Sequence, residues 1–301
     1  MGTNGKRDNV LVTGSCGFIG HHLVRELKRR GYRVTGLDDL SNGDKKYAHE
    51  ADDFMCAKVS YVTPALLRKF KYVFHLAALP RVPYSIEYPW LTHDANVNET
   101  LHLLIAAVYG ARNGDLKKVV YSSSSSVYGA QTTFPSREDL PTVPISPYAA
   151  QKLAGENYAE VFRKVYGLPT ASLRYFNVYG EEQKADNPYT GVITRFLDLK
   201  EQGKPLTVYG SGEQKRDFTY VGDVVEANIL AAEQGEGVYN VGTGTNHSIV
   251  DIAGAIGGDI TFGPAREGDP PLSLADNSRL RALGWEPKTE LLTWLKKKSS
   301  K

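Results

Sequence analysis

The chain has 301 residues, of which 41% are apolar and 23% charged, and its 36 basic and 34 acidic side chains leave a formal net charge of +2. This balance argues against a nucleic-acid-binding protein, which usually has a strongly basic surface, and against an acidic disordered scaffold. The two cysteines, Cys16 and Cys56, form neither a disulfide framework nor a metal-ligand spacing. We therefore expect a reducing compartment and no bound metal.

Membrane insertion and secretion are not expected. The longest apolar runs fall short of the roughly 18 residues that a membrane span needs, and the first residues, MGTNGKRDN, are too polar for a signal peptide. The closing KKKSSK is typical of a solvated tail. These features predict a cytoplasmic protein with no membrane partner and no nucleic-acid partner.

Strands and helices alternate along the first 180 residues. An apolar run at 10–12 predicts a strand, and Ile19, Leu23, Val24 and Leu27 then recur at helical spacing. A second strand is predicted at 33–37, closing at Asp38, which completes a βαβ unit. Further short strands are predicted at 72–76, 118–122 and 170–173, with helices at about 97–108 and 146–166. This order predicts an α/β fold with a doubly wound parallel Rossmann sheet.

The pattern changes after about residue 180, where glycine and proline become frequent and the segments shorten. A smaller, mixed α/β substrate lobe is therefore expected over residues 181–301, after a Rossmann domain at 1–180. Residues 224–232 are again helical in pattern and 239–241 strand-like, so segments near 215–245 are expected to return to the first sheet.

The glycine triad Gly14, Gly17 and Gly20 lies between the first strand and the first helix, where a tight turn lets the backbone approach a pyrophosphate. A glycine triad alone is weak evidence, but Asp38 follows at the end of the next strand. Its carboxylate can accept hydrogen bonds from both adenosine ribose hydroxyls and would repel a 2'-phosphate. The arrangement predicts NAD as the cofactor, in preference to NADP.

A second constellation consists of Tyr148, Lys152 and the serines at 122–126. Tyr148 and Lys152 are four residues apart in a helical pattern, so both project from one face. The serines follow a strand that should end at the carboxyl edge of the sheet, beside the cofactor. A nearby ammonium and a nicotinium charge are expected to lower the pKa of the phenol, so that it can act as a base.

Several segments together resemble the extended short-chain dehydrogenase/reductase family, namely GSCGFIG, YSSSSSVYG, PYAAQK and RYFNVYG. Three others resemble its nucleotide-sugar 4-epimerases, namely HLAALPRVPYS, YGSGEQKRDFTYVGDVV and REGD. The resemblance covers residues 9 to 295. It implies a Rossmann domain that binds NAD, a smaller lobe that binds a UDP-sugar, and epimerisation at C4 through a transient 4-keto sugar.

The resemblance also implies roles for individual residues. Tyr148 is expected to be the base, Lys152 to lower its pKa and bind the nicotinamide ribose, and Ser124 to hydrogen-bond the sugar 4-oxygen. The expected cofactor-binding residues are Gly14, Gly17, Phe18, Ile19, Gly20, Asp38, Val59, Ala77, Asn96, Ser122, Tyr148, Lys152 and Tyr175. The expected substrate-binding residues are Ser124, Tyr148, Asn177, Val192, Val208, Tyr209, Arg216, Arg266, Asp269 and Ser273.

Within this second set, Asn177, Arg216 and Arg266 are expected at the diphosphate, where guanidinium groups match phosphate oxygens. Val208 and Tyr209 would flank the uracil and Asp269 the uridine ribose. A local ion pair of Arg216 with Asp217 or Asp223 is the alternative for that arginine. Ser273 stands where the family places a side chain against the sugar 2-substituent, and its small size predicts acceptance of UDP-N-acetylhexosamines alongside UDP-glucose and UDP-galactose.

Three departures from the family pattern bear on function. Dehydratases of the family carry an Asp-Glu pair where Ser125 and Ser126 stand here, which disfavours a dehydratase. Lys58 replaces an aspartate that usually holds adenine, so adenine is expected to be bound more loosely or through the Val59 backbone. Pro80 and Arg81 stand where a lysine usually reaches the cofactor, and Arg81 is a candidate to compensate.

The resemblance further implies a homodimer, in which helices near 96–111 and 148–166 pair across a two-fold axis. Two other functions stay open at this point. One is a nucleotide-sugar dehydratase or reductase of the same fold, and the other is a non-catalytic NAD-binding scaffold.

Overall fold

A computed structural model describes residues 7–184, 191–265 and 271–299. Its centre is a parallel sheet of seven strands. In chain order these strands are β1 Asn9–Thr13, β2 Arg33–Asp38, β3 Asp53–Cys56, β4 Tyr72–His75, β5 Lys118–Ser124, β6 Thr170–Tyr175 and β11 Gly237–Val241. Their order across the sheet is β11-β6-β5-β4-β1-β2-β3. The predicted doubly wound Rossmann sheet is confirmed.

Helices cover both faces of this sheet. In chain order the described helices are α1 Phe18–Arg29, α2 Pro64–Leu67, α3 Val82–Glu87, α4 Pro89–His93, α5 Glu99–Arg112, α6 Pro147–Tyr166, α7 Val192–Glu201, α8 Val221–Gln234, α9 Ile249–Ile256, α10 Ser278–Arg281 and α11 Leu291–Ser299. Residues of α1 and α8 share one hydrophobic cluster with the sheet, and residues of α2, α5 and α6 share the cluster on the other face.

The apolar spacing seen in the sequence explains how α1 is held. Leu23, Val24 and Leu27 are 1% exposed or less and pack on Val10 and Val12 of β1. Each fully buried side chain of this size contributes about 1.5–3 kcal/mol. Tight docking of α1 on β1 keeps the N-terminus of the helix at the carboxyl edge of the sheet.

A separate hydrophobic cluster is built by α7, α9, α11 and short strands of the second half of the chain. The short strands form three pairs: β7 Val178–Tyr179 with β10 Thr219–Tyr220, β8 Leu206–Tyr209 with β13 Ile260–Gly263, and β9 Lys215–Asp217 with β12 Asn246–Ser248. The first two pairs are parallel and the third antiparallel. The predicted smaller, mixed α/β part is thus confirmed.

Strand β11 brings the chain back to the central sheet, where it pairs with β6. Asn240 of β11 is fully buried, and its side chain accepts from the Tyr128 hydroxyl and donates to the carbonyls of Ser136 and Asp276. Its backbone N–H donates to Glu138. The returning strand is therefore tied to the loop that follows β5. None of the helices in the described residues is both long and apolar enough to cross a lipid bilayer.

Candidate active site

A cleft of about 1120 Å³ opens at the carboxyl edge of the central sheet. Loops after β1, β2, β3, β4, β5 and β6 line it, together with Arg216, Leu272 and Ser273 from the second half of the chain. Pockets for one small ligand typically measure about 300–1,000 Å³. The size and the position at the strand ends suit two ligands side by side.

The glycine loop after β1 is packed so closely that side chains are excluded. Gly14 has φ +71°, and a Cβ atom there would lie 2.7 Å from the Ala77 nitrogen. A Cβ on Gly20 would lie 2.0 Å from the Gly14 carbonyl oxygen. Gly17 caps α1 without a side-chain hydrogen bond, and the first residues of the helix line the cleft. Such a helix start is suited to bind a phosphate.

Asp38 lies beside this loop at the end of β2. Its Oδ2 accepts from the Cys16 N–H at 2.9 Å and its Oδ1 from the Leu40 N–H at 2.8 Å. Burial raises the pKa of Asp38, while these two backbone groups oppose the shift. The remaining lone pairs can accept from ribose hydroxyls. The glycine cradle and this carboxylate together fit the adenosine diphosphate half of NAD.

Tyr148 and Lys152 are positioned by the start of α6. Ser146 caps the helix by accepting from the Ala149 N–H at 3.2 Å, Pro147 is its first residue, and the Tyr148 N–H donates to Ser85 Oγ at 3.0 Å. Lys152 Nζ donates to the Ser122 carbonyl at 2.7 Å and lies 6.0 Å from the centre of the Tyr148 ring.

Ser124 completes this group, because its side chain hydrogen-bonds to Tyr148. Ser124 ends β5, which places the hydroxyl at the same edge of the sheet as the start of α6. The structure therefore brings together the three side chains that the sequence singled out for chemistry.

Burial acts on both members of the Tyr148 and Lys152 pair. It raises the pKa of Tyr148 to about 12, although the hydrogen bond from Ser124 opposes the shift. It lowers the pKa of Lys152 to about 7, and the negative charge of Glu156 acts against this shift. Burial is thus the larger effect on the pKa of Tyr148 in the protein without cofactor. The lowered pKa of the phenol, expected from the ammonium together with the nicotinium charge, stays a prediction.

Ser122 and Tyr175 form the floor beside this pair. The Tyr175 hydroxyl donates to Asn228 Oδ1 at 2.9 Å and accepts from the Ser122 hydroxyl at 2.9 Å. The Ser122 carbonyl also accepts from Lys152. This series of hydrogen bonds therefore holds the lysine side chain against the end of β5. Both residues line the cleft, as do the expected cofactor residues Phe18, Ile19 and Ala77.

A buried ion pair beneath the site was missed by sequence reasoning. Glu156 accepts from Arg174 at 2.8 Å and 2.9 Å and from the Ser123 hydroxyl at 2.5 Å. Glu156 lies four residues after Lys152 on α6, and this spacing is a signal that could have identified it. Its negative charge helps to keep the Lys152 ammonium protonated.

Besides Ser124 and Tyr148, three expected substrate residues line the cleft, namely Asn177, Arg216 and Ser273. Asn177 has φ +27°, a conformation that asparagine tolerates better than most residues, and its Nδ2 donates to the Asp217 carbonyl at 2.8 Å. The carboxylate of Asp217 accepts from Thr243 and the N–H groups of Gly244 and Ala275.

Asp223 is likewise engaged, by the N–H groups of Lys288 and Thr289. Backbone N–H groups therefore occupy lone pairs of Asp217 and Asp223, the two carboxylates considered as ion-pair partners of Arg216.

Within the part of the chain that the structure describes, four expected site residues do not line the cleft. Asn96 is buried behind the wall, where it bonds to the backbone of Leu79 and to Gln151. Val208 is fully buried in the cluster of the second half, and Val192 packs against that cluster. Tyr209 is 37% exposed at the end of β8. Arg266 and Asp269 lie outside the described residues.

The loop after β3 does not make the hydrogen bond to adenine available that was expected of its backbone. The Val59 N–H, expected to be available for adenine, donates instead to Glu99 Oε2 at 2.9 Å. Lys58 and Glu99 both line the cleft. Arg81 also lines it, and its guanidinium donates to Asn42 across the opening at 3.4 Å.

His21, His22 and Glu182 form a triad of possible metal ligands, of which Glu182 lines the cleft. These ligand atoms already have protein partners. His21 Nδ1 donates to the Gly17 carbonyl, His22 Nε2 donates to the Glu181 carbonyl, and Arg25 binds Glu182. The cluster therefore joins α1 to the segment that follows β7.

Known proteins of similar sequence and structure indicate the family of this chain. The model of the NAD dependent epimerase/dehydratase family matches residues 10–242. UDP-glucose 4-epimerase from Mycolicibacterium smegmatis is 39% identical over 300 residues, which cover 94% of this chain and 94% of that protein.

Two solved structures are similar over nearly the whole chain. UDP-N-acetylglucosamine 4-epimerase from Methanobrevibacter ruminantium, in complex with UDP-N-acetylmuramic acid, is 36% identical, covers 98% of each chain and has a TM-score of 0.91. UDP-glucose 4-epimerase from Thermus thermophilus, in complex with NAD, is 33% identical, covers 97% of this chain and 98% of that chain, and has a TM-score of 0.87. The chain belongs to the NAD-dependent epimerase/dehydratase family and is an enzyme with NAD as its cofactor.

Proposed function

We propose that this enzyme interconverts the C4 epimers of a UDP-hexose through a transient 4-keto sugar. The observation that carries the proposal is the grouping of Tyr148, Lys152 and Ser124 beside a cleft large enough for a dinucleotide and a nucleotide sugar. The relatives named above support the same reaction class.

In this reaction Tyr148 takes the proton of the sugar 4-hydroxyl, and Ser124 hydrogen-bonds the same oxygen. NAD, when bound, would supply the acceptor and donor of the C4 hydride, so that hydride removal and its return to the other face need no further redox reagent. Tyr148 then gives the proton back to the 4-oxygen, so that atoms and charge balance over the cycle. Gly14, Gly17, Gly20 and Asp38 would hold the adenosine diphosphate half.

The cleft also has features that disfavour dehydration. Loss of water from the sugar needs an acid beside the reacting carbons, and dehydratases of the family carry an Asp-Glu pair for this purpose. Ser125 and Ser126 line the cleft at those positions, and they carry hydroxyl groups in place of carboxyl groups. Epimerisation needs no acid beyond Tyr148.

The proposed substrates are UDP-galactose and UDP-glucose, together with their N-acetylated counterparts. Ser273 supports the wider range, because this small side chain lines the cleft next to Leu272 and Arg216. We further propose that residues 1–180, with returning segments near 215–245, bind NAD and that residues 181–301 mainly bind the UDP-sugar. Asn177, Arg216 and Arg266 would contact its diphosphate.

A homodimer is also proposed. The surface formed by α5 and α6 exposes apolar side chains, namely Ile105, Tyr109, Tyr158, Val161, Val165 and Tyr166. An exposed apolar face of this kind is typical of a protein interface. Pairing of these two helices with their copies would bury it in a four-helix arrangement.

Proton NMR of the purified protein tests the reaction. The protein is incubated without added NAD, separately with UDP-galactose and UDP-N-acetylgalactosamine, and the anomeric signals of the gluco epimers are followed. Conversion of both sugars is expected, and a Tyr148→Phe variant should convert neither at a comparable rate. Release of a 4-keto-6-deoxy sugar, or no conversion even with added NAD, would contradict the proposal.

A further inference from the structure

The order of the strands determines which end of the cleft faces the adenosine half of the cofactor. The glycine loop follows β1, Asp38 closes β2, and Lys58 and Val59 follow β3, the next strand outward. The Tyr148 and Lys152 pair lies on the other side of β1, beside β5. A pyrophosphate at the start of α1 and a ribose at Asp38 therefore direct adenine toward the loop after β3.

Neither the Lys58 side chain nor the Val59 N–H can accept a hydrogen bond from the adenine amino group. That amino group is a hydrogen-bond donor, and the ammonium of Lys58 is also only a donor. The Val59 N–H, which could have bound a ring nitrogen, already donates to Glu99 Oε2 at 2.9 Å. A side-chain acceptor for the adenine amino group at this end of the cleft therefore has to come from another element.

Glu99 supplies such an acceptor. It is the first residue of α5, it is half-buried, and it lines the cleft together with Asp39, Ala57, Lys58 and Val59. A carboxylate has about four lone-pair positions, and the Val59 N–H occupies one of them. The second oxygen can accept a hydrogen bond from a ligand in the cleft.

Groups around Glu99 act on its pKa in both directions. Burial raises the pKa of Glu99, and the negative charges of Asp39 and Asp94 act in the same direction. The Val59 N–H and the Lys58 ammonium oppose them. Lys58 thus supports the ionised, acceptor-only form of the carboxylate, although it cannot itself bind the adenine amino group.

We propose that Glu99 is the carboxylate that recognises the adenine amino group of NAD in this chain, in place of an acidic residue at position 58. The side chain that recognises adenine then lies at the start of α5 and not in the loop after β3. A purine with a carbonyl oxygen at this position would meet the carboxylate with another acceptor and be disfavoured. The inference concerns the cofactor alone and holds whichever sugar nucleotide is the substrate.

The test uses NAD and its hypoxanthine analogue, which carries a carbonyl oxygen in place of the amino group. The full-length protein is equilibrated with an equal mixture of both, freed of unbound nucleotide by gel filtration and denatured, and the released dinucleotides are quantified by chromatography. A hydrogen bond to a charged acceptor predicts that the wild-type protein retains NAD over the analogue by about 10-fold to 100-fold.

Two variants separate recognition from support of the loop. Glu99→Gln keeps an oxygen that can accept from the Val59 N–H, but its amide N–H can donate to the hypoxanthine carbonyl, so the preference should disappear or invert. Glu99→Ala removes both interactions and should bring the ratio of the bound dinucleotides close to one. The matched control is Glu87→Gln, which changes an exposed carboxylate outside the cleft lining and should keep the wild-type ratio.

Equal retention of the two dinucleotides by the wild-type protein would overturn the proposal. So would a wild-type ratio in both Glu99 variants, measured on samples whose circular dichroism confirms that they are folded. Because the readout is the bound dinucleotide, its failure is distinguishable from failure of the proposed epimerase reaction, which the sugar conversion assay reports.

Discussion

At the scale of single residues, burial removes charge from both members of the Tyr148 and Lys152 pair. The pKa of Lys152 is lowered to about 7, so the pair loses its first proton near neutral pH, whereas Tyr148 alone has a pKa of about 12. In two coupled groups the remaining proton can lie on either member. With the proton on Lys152, Tyr148 carries the negative charge that a base requires.

This coupling predicts the effect of removing the lysine charge. In Lys152→Met the only proton of the pair is on Tyr148, so the rise of kcat with pH should move from about pH 7 to above about pH 9. Activity at pH 7 should fall at least about 10-fold and recover partly at high pH. The control is Lys117→Met, an exposed lysine just before β5, at the opposite edge of the sheet. A variant profile that rises at the wild-type pH would contradict the role of the lysine.

Ser273 carries a second prediction at this scale. A tyrosine at this position would fill the space proposed for an N-acetyl group, so Ser273→Tyr should lose about 10-fold or more of its kcat/KM for UDP-N-acetylgalactosamine. Its activity on UDP-galactose should stay close to that of the wild type. Ser273→Ala should keep both activities, as the matched control. If Ser273→Tyr converts the N-acetylated sugar at the full rate, Ser273 does not limit the substrate range.

At the scale of the elements, one buried histidine links two strands and a helix. His75 of β4 accepts from the Thr13 hydroxyl of β1 at 2.8 Å and donates to Thr100 Oγ1 of α5 at 2.9 Å. The Thr100 hydroxyl in turn donates to the Asn96 carbonyl, and Thr13 Oγ1 accepts from the Ala77 N–H. In this series of hydrogen bonds, each donated hydrogen has its own acceptor only if the His75 ring is neutral.

Stability should therefore depend on pH through His75. Burial, and secondarily the charge of Lys152, lower its pKa to about 3, below the value of about 6.5 in the unfolded chain. Between these values the unfolded state binds the extra proton, so the free energy of unfolding decreases as the pH falls below about 6.5. The contribution of His75 between pH 7 and pH 5 is about 2 kcal/mol.

Urea denaturation at pH 7 and pH 5 measures this contribution. His75→Gln cannot titrate, so its loss of stability between the two pH values should be smaller than that of the wild type by about 2 kcal/mol. His49→Gln, which changes an exposed histidine, should retain the wild-type difference. Equal differences in all three proteins would contradict a neutral His75 in the folded state.

The elements also mark how far the sequence alone could predict this molecule. The main strands and helices follow from apolar periodicity, and Tyr148, Lys152 and Ser124 could be brought together because parallel strands end at one edge. The sequence alone could not predict that Val208 is a core residue and not a cleft residue, since its burial depends on the packing of α7 and α9 against β8. Glu99 was missed because a carboxylate in a first helical turn is ordinarily a solvated group.

At the scale of the whole molecule, the exposed apolar surface of α5 and α6 predicts the oligomeric state. Val161 is 47% exposed and Val165 69% exposed, one turn apart on α6. Glutamates at both positions would place like charges across a two-fold axis, so a Val161→Glu, Val165→Glu double variant should be monomeric. Light scattering at micromolar concentration measures this, with Arg112→Glu at the end of α5 as a charge-matched control. A monomeric wild-type protein would contradict the proposed dimer.

The return of the chain through β11 has a consequence for synthesis on the ribosome. Until residues 237–241 emerge, β6 is an open edge strand whose N–H and C=O groups lack their neighbour. Because a chain grows at about 5–20 residues per second, the intervening segment leaves this edge exposed for several seconds. During that interval the unpaired edge of β6 can pair with strands of other chains, and this risk of aggregation ends only when β11 completes the sheet.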